Sequence, residues 1–347
     1  MIYIGGVMKI NKSAVSLIFL LFVIIMLISC SFEAKEGALR GIALSERVII
    51  PSLLPLLIIF NLIQNSSAGR LFEELLSPVT RYALRLPKCT GGCVFFGLTG
   101  GFPSGAILTN SLYENGDIDE KTARRILRFN FSGGPAFIIT AVGTGFLQSK
   151  KIGLILFASV TLSSIIIAVL TSFFGKNEMN GEYSFAQMSI DEALTKSVEQ
   201  AIKSVLNISA YIILFSAINS IITVPSYLTP LIEITSGIAE NYKSFSIPQL
   251  AFFLAFGGLC IHLQIFGFIK RAKMKYLDFL IWRIIGAFLA YICAFLLLKI
   301  FPVETAVFSN YSDNIYRFTS VNATLSVLMV LGCAVFIFDL AGRKTKC

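Results

Sequence analysis

Polar side chains lie at only a few places inside the long apolar runs of this chain, and any chemistry is to be sought there. Asn130 and Ser132 belong to the run NFSGGP, which interrupts a helical pattern and frees backbone carbonyl and amide groups. A polar group at the centre of a bilayer costs about 3 kcal/mol, so such residues face a cavity or a partner. We interpret Asn130 and Ser132 as candidate substrate ligands, with a simple helix kink as the alternative.

Two glycine-centred segments, GLTGGFPSGA and AFGGLCIHLQ, carry further candidate ligands. Glycine pairs and proline break helices, so we predict re-entrant hairpins over 92–112 and 250–268. The alternative is two glycine-kinked ordinary spans, whose glycines serve only close helix packing. The candidate substrate-binding residues of these segments are Gly101, Pro103, Ser104, Gly105, Gly258, His262 and Gln264. His262 is also explained by a local hydrogen bond within the fold.

The run EITSG places a carboxylate and two hydroxyls beside a glycine, just before the second segment. We interpret Glu233 as a candidate ligand of a coupling cation, with a helix cap as the alternative. Thr235 and Ser236 are candidate substrate ligands. Arg283 lies one turn into an apolar run, where it would pair with Glu233, meet a substrate carboxylate, or extend its guanidinium to the lipid headgroups.

Enzyme chemistry has little support in the motifs. The chain contains no HExxH and no Walker A motif. It has one histidine and seven cysteines without a CxxC pair, so no zinc site of ordinary spacing can form. We therefore predict a protein that is not an enzyme and has neither a cofactor nor a metal.

The elements that must position these residues are membrane spans. Of 347 residues, 55% are hydrophobic and 14% are charged, whereas soluble domains have about 25% charged residues. We predict one all-α polytopic membrane domain, 1–347, with seven transmembrane helices. These cover 14–30, 48–63, 126–147, 152–174, 205–224, 279–300 and 321–340. The net charge of +9 is spread over short loops, which indicates contact with the lipid bilayer rather than nucleic acid.

The order of elements occurs twice, in units 9–147 and 150–301, with 321–340 as an additional helix. Ala38 matches Ala193 at an offset of 155, and Gly100 matches Gly257 at an offset of 157. Each unit would contain an odd number of crossings, so the second would be inverted, which is typical of transporters. Two opposed hairpins would then direct half-helix N-termini at one point and attract an anion.

The N-terminal run ends in Leu27-Ile28-Ser29-Cys30, which imitates a lipoprotein signal. We expect this segment to be retained, because the repeat requires it as a helix.

Four motifs, GGFPSGAILTNSLYENGDID, NFSGGPAFIITAVG, EITSG and GGLCIHLQ, resemble in sequence and order the YlbJ-type sporulation integral membrane proteins of the nucleoside-recognition or Gate domain superfamily. The resemblance covers roughly residues 38 to 300. It implies a fold akin to concentrative nucleoside transporters and movement of dipicolinic acid across the outer forespore membrane. Phe102 stands where the family pattern favours Tyr, which puts the substrate in question.

We therefore expect a bacterial membrane transporter of a small anion, dipicolinic acid first, that works by alternating access. A nucleoside or nucleobase carrier and a non-transporting scaffold in spore maturation are the alternatives. The expected partners are the small anion and the lipid bilayer; homo-oligomerisation is left open, and no nucleic acid is expected.

Overall fold

The computed structural model describes residues 12–66, 68–173, 188–221, 225, 227–269 and 274–303. These residues contain helices and no strand, as an all-α membrane protein requires. The predicted helix 321–340 lies outside the described residues.

The described part of the chain begins with one helix and a bent helix pair. Helix α1 is Lys12–Ser29, α2 is Ser31–Leu44, and a π-helical turn Ser45–Ile49 leads into α3, Ile50–Asn65. Helix α2 packs on the long helix α9, Ile190–Ile221. A Cβ at Gly41 would lie 2.8 Å from the Cα of Ile213, so the missing side chain permits this close approach.

Four helical stretches in the described part of the chain are long and apolar enough to cross a membrane. They are α8 (Lys150–Ser172), α9, the combined stretch Ile247–Phe268 and α14 (Tyr276–Ile300). A fifth span arises if Ser31–Ile49 and Leu53–Ile63, bent by 56°, are counted together. The prediction of seven spans is therefore not confirmed: α1 contributes a shorter apolar helix, Leu20–Ser29, and 126–147 is broken.

The first glycine-centred segment is a pair of short helices. Helix α4, Ala68–Pro78, precedes α5, Gly91–Thr99, and α6, Phe102–Glu114, which packs against α5. The break falls at Gly100 and Gly101, where Gly101 has a φ of 98°. The helix break predicted from these glycines is present, and entry and exit on one side of the bilayer stays a prediction.

The second glycine-centred segment does not have the predicted hairpin form. Helices α12, Ile247–Phe256, and α13, Gly258–Phe268, follow one another in a single 22-residue span. Gly257 and Gly258 have φ values of 87° and 73°, which interrupt the helix without reversing the chain. The structure agrees with the alternative of a glycine-broken span.

Two further breaks complete the framework. Helix α7, Glu120–Leu127, is followed by irregular backbone over 128–135 and then by a π-helix, Ala136–Phe146. The interruption predicted for NFSGGP is thus confirmed. The short helices α10, Thr229–Ile232, and α11, Ile234–Asn241, are separated at Glu233.

Candidate functional site

The four helix breaks lie against one another. A Cβ built on Gly134 would lie 2.6 Å from the carbonyl oxygen of Thr99, so the 128–135 break contacts the turn between α5 and α6. A Cβ on Gly257 would lie 2.9 Å from the Phe131 ring, and one on Gly258 would lie 3.0 Å from the Pro230 carbonyl oxygen. These close approaches bring irregular backbone from four separate segments to one place.

A small cavity of about 30 Å³ lies among these breaks, which is room for a water molecule or two. Four of the predicted ligands line it: Gly101, Pro103, Thr235 and Gln264. The rest of the lining is Ile49, Leu53, Leu57, Gly100, Phe102, Gly133, Phe137, Ile208 and Ile261. The cavity is therefore largely apolar, with a hydroxyl, an amide and freed backbone as its polar groups.

Residues from the first turns of two helices line this cavity. The first residues of α6, Phe102 and Pro103, line it, as does Ile261 in the first turn of α13. Neither α6 nor α13 has a capping side chain; in α6, Pro103 has no N–H and the Ser104 N–H donates to the Gly101 carbonyl oxygen at 3.1 Å. The partial positive charge of these two ends favours a negatively charged group.

Glu233 caps a helix, which was the alternative to a cation site. Its two carboxylate oxygens accept the backbone N–H groups of Thr235 and Ser236, at 2.9 and 2.6 Å. The carboxylate is 1% exposed. The carboxyl group therefore caps the N-terminus of α11, beside the cavity residue Thr235.

Several predicted ligands donate hydrogen bonds to carbonyl groups near the breaks. Ser104 Oγ donates to the Gly100 carbonyl at 2.8 Å, and Asn130 Nδ2 donates to the Cys93 carbonyl at 3.0 Å. His262 Nε2 lies 2.9 Å from the Phe256 carbonyl oxygen, and this contact ties α13 to the end of α12. Ser132 Oγ accepts the Gly134 N–H at 3.3 Å. These side chains therefore hold the broken backbone in place.

Arg283 does not pair with Glu233, which was one of the three alternatives for this residue. The guanidinium donates to the carbonyl groups of Arg128 and Phe131, the latter at 3.4 Å, and lies 4.3 Å from the centre of the Phe131 ring. Arg283 is 2% exposed, so it does not extend to the headgroups either. The reason is tertiary: α7 ends close to α14 and leaves carbonyls without helical partners.

Two of the three predicted glycine ligands, Gly105 and Gly258, have packing roles. A Cβ on Gly105 would collide with the backbone oxygen of Asn130, and Gly258 lies against Pro230.

Within the described residues, the Oγ of Ser236 and the Oδ1 of Asn130 are buried without a hydrogen-bond partner. Other described residues, among them Ser45 and Ser216, also have such atoms, so the property alone does not mark a ligand site.

A much larger cavity, about 910 Å³, adjoins the small one and shares Leu57, Gly100 and Pro103 with it. Its polar lining comes from three helices: Asn61 and Asn65 of α3, Ser104 and Ser111 of α6 with Asn115 after it, and Lys196, Gln200, Lys203, Ser204 and Asn207 of α9. We call this cavity the vestibule. Motif reasoning missed it, although the polar spacing of 196, 200, 203 and 207 marks one face of a helix.

Comparison with known proteins gives one informative similarity. The chain is 25% identical, over an alignment of 367 residues, to the sporulation integral membrane protein YlbJ of Bacillus subtilis (strain 168). The alignment covers 91% of this chain and 88% of that protein. The predicted resemblance to YlbJ-type proteins is confirmed. Together with the apolar spans, it identifies the chain as an integral membrane protein. No family profile and no solved structure matches the chain.

A buried carboxyl on α4, beside the first helix pair, makes stability depend on pH. Burial, and secondarily the charge of Asp117, raise the pKa of Glu73 from 4.5 to about 7. Between these values the unfolded chain loses the proton while the folded chain keeps it, so stability falls as pH rises from 4.5 to about 7. Glu73→Gln should abolish this loss and raise the unfolding midpoint in detergent at pH 8 much more than at pH 5.

The exposed neighbour offers the control for this experiment. Glu74→Gln keeps Glu73 in place and should retain the pH dependence of the unaltered protein. Equal midpoints for Glu73→Gln and the unaltered protein at pH 8 would contradict the assignment.

Proposed function

We propose that this protein is a carrier of a small anionic solute, dipicolinic acid first, that works by alternating access. The observation that carries the proposal is the small cavity bordered by two helix N-termini without capping side chains, α6 and α13. Broken helices with their N-termini at a buried site are how transporters bind anionic groups inside a membrane. The inverted-repeat arrangement and the wider Gate-domain kinship belong to this proposal.

The small size of the cavity indicates which conformation of the carrier the structure represents in this proposal. A space of about 30 Å³ accepts water but not an aromatic dicarboxylate, so the structure corresponds to a closed site. Opening would separate the helix pair α5–α6 from α11 and α13, which contribute Thr235 and Gln264 to the opposite wall. The solute carboxylates would then meet the N–H groups of α6 and α13 and the side chains of Thr235 and Gln264.

The membrane in which transport occurs is inferred from the name of the YlbJ relative, and the site of ion coupling is inferred from Glu233. The name of the YlbJ relative leads us to place the transport step in sporulation, with the outer forespore membrane as the site. Glu233 is the candidate for ion coupling, because it is a buried carboxyl group directly before the cavity residue Thr235.

The test is solute flux into proteoliposomes. Purified protein is reconstituted with terbium trapped inside, dipicolinate is added outside, and luminescence of the terbium complex reports its arrival. Gln264→Leu should reduce the rate about tenfold, since one lost buried hydrogen bond to the solute is worth about 1–3 kcal/mol. Ser132→Ala should also lower it, because Ser132 Oγ orients the Gly134 amide.

A matched pair of variants controls for nonspecific loss. Thr235→Val removes a hydroxyl from the cavity, whereas Thr144→Val removes one from an exposed position on the π-helix. We expect the first to slow flux and the second to leave it unchanged. No luminescence rise from correctly folded protein would exclude dipicolinate and direct the same assay to labelled nucleosides. Failure with both solutes would favour a scaffold.

A further inference from the structure

The vestibule is a large cavity with a partly polar wall, and α9 supplies much of that wall. On α9, Lys196, Gln200, Lys203 and Asn207 follow one another at intervals of four, three and four residues. Residues at this spacing share one face of a helix, and here that face lines the cavity. The result is a polar stripe about three turns long in the wall of the cavity that Gly100 and Pro103 also line.

The length of α9 places Lys196 beyond the hydrocarbon layer and Lys203 close to its edge. Its 32 residues extend about 48 Å, against about 30 Å for the apolar core of a bilayer. The charged residues occur in the N-terminal half, whereas the C-terminal half is apolar. The two lysines therefore lie toward the headgroup end of α9, and Asn207 lies further along the helix.

Hydrogen bonds hold the wall of the vestibule together. Asn65 Nδ2 donates to Gln200 Oε1 at 2.8 Å and to Ser197 Oγ at 3.0 Å. Asn61 Nδ2 donates to the Ser197 carbonyl at 3.3 Å. These three bonds join α3 to α9, two of the helices that line the cavity.

The charge of the vestibule has one sign. The described residues that line it include Lys196 and Lys203 and no Asp or Glu. Apolar side chains, among them Phe60 and Phe96, form other parts of the wall. A recess lined by charges of one sign with low-dielectric walls concentrates ions of opposite charge and raises their rate of arrival.

We propose that the vestibule is an anion-selecting access site, in which Lys196 and Lys203 bind a small carboxylate before it reaches the cavity at Gly100 and Pro103. This inference rests on the proposed transport of an anion for its physiological meaning. The inference itself is that the vestibule is a water-filled recess of positive potential that accepts small carboxylates. Both properties can be measured without measuring transport.

The first experiment measures the potential inside the vestibule directly. Asn207→Cys places a thiol there without altering either lysine, and its rates of reaction with negatively and positively charged methanethiosulfonate reagents are compared in proteoliposomes. Labelling of the parent protein with its native cysteines is subtracted. We expect the anionic reagent to react about tenfold faster than at an exposed reference thiol, Lys121→Cys, relative to the cationic reagent.

Two changes should remove this preference. Replacing both lysines, by Lys196→Gln and Lys203→Gln, should bring the rate ratio of the Asn207→Cys variant close to that of the reference thiol. A salt concentration of 1 M should do the same, because the Debye length is then about 3 Å. Dipicolinate or another small dicarboxylate should slow the anionic reagent when the lysines are present. An unreactive thiol, or a ratio unaffected by the lysine changes, would overturn the inference.

Flux measurements separate this inference from the proposed function. In the terbium assay, the double lysine variant should raise KM several-fold with little change in kcat, while Lys121→Gln leaves both unchanged. If no protein-mediated flux occurs but the thiol shows the anion preference, the access site stands and the transport proposal fails. If flux occurs with an unchanged KM in the double variant, the access site is wrong and the carrier remains.

Discussion

Gly134→Ala is expected to destabilise the protein by about 3 kcal/mol and to abolish flux. Gly134 has a φ of 67°, a conformation that costs an L-amino acid about 1–2 kcal/mol. The new Cβ would also lie 2.6 Å from the Thr99 carbonyl oxygen and 2.8 Å from the Gly101 nitrogen. Both neighbours are backbone atoms of the turn between α5 and α6, so relief requires the turn to move away from the 128–135 break.

Gly116→Ala separates backbone strain from this collision. Gly116 has a φ of 80°, but no atom lies within 4 Å of a Cβ built there. Its replacement should cost about 1 kcal/mol and leave flux intact. Chemical unfolding of both variants in mixed micelles gives the comparison. Equal stability of the two would mean that the 128–135 break and the turn are not in firm contact.

Arg283→Met should reduce the free energy of unfolding by about 2–4 kcal/mol. The guanidinium supplies hydrogen bonds to the carbonyls of Arg128 and Phe131 at a place where water has little access. Met fills a similar volume but leaves these carbonyls unpaired, and each buried unpaired acceptor costs about 1–3 kcal/mol. Arg283→Lys keeps the charge but loses the forked geometry, and an intermediate loss is expected.

Arg128 provides the matched control, since it lies one residue beyond α7 and pairs with α14. Its guanidinium is 3.0 Å from Asp278 and the pair is about one-third exposed. Exposed pairs contribute at most about 1 kcal/mol, so Arg128→Met should unfold close to the unaltered protein. If Arg283→Met were equally mild, the carbonyls would have other partners and the guanidinium would be available to a solute.

Local composition was sufficient to predict where the helices break. Gly100 and Gly101, the run NFSGGP, and Gly257 with Gly258 all interrupt helices, because glycine permits positive φ and proline lacks an N–H. The same residues did not reveal the direction that the chain takes after a break. The first glycine pair separates two helices that pack together, whereas the second lies within a single span.

Candidate ligands were chosen because they are polar residues inside apolar runs. That criterion identified buried residues well, but it did not show whether a residue binds a solute or a backbone carbonyl. Thr235 and Gln264 line the small cavity as expected of ligands. Ser104, Asn130 and His262 are bonded to backbone carbonyls instead. A carbonyl freed by a break and a ligand in a cavity both require a buried hydrogen-bonding side chain, so residue type does not distinguish them.

The sequence by itself determined that this is an all-helical membrane protein with glycine- and proline-broken helices, because hydropathy and backbone freedom are properties of short segments. Only the tertiary structure decided that the breaks meet at one cavity, that Arg283 serves backbone carbonyls rather than Glu233, and that the polar stripe of α9 lines a vestibule. Each of these depends on contacts between residues far apart in the chain, which no local pattern records.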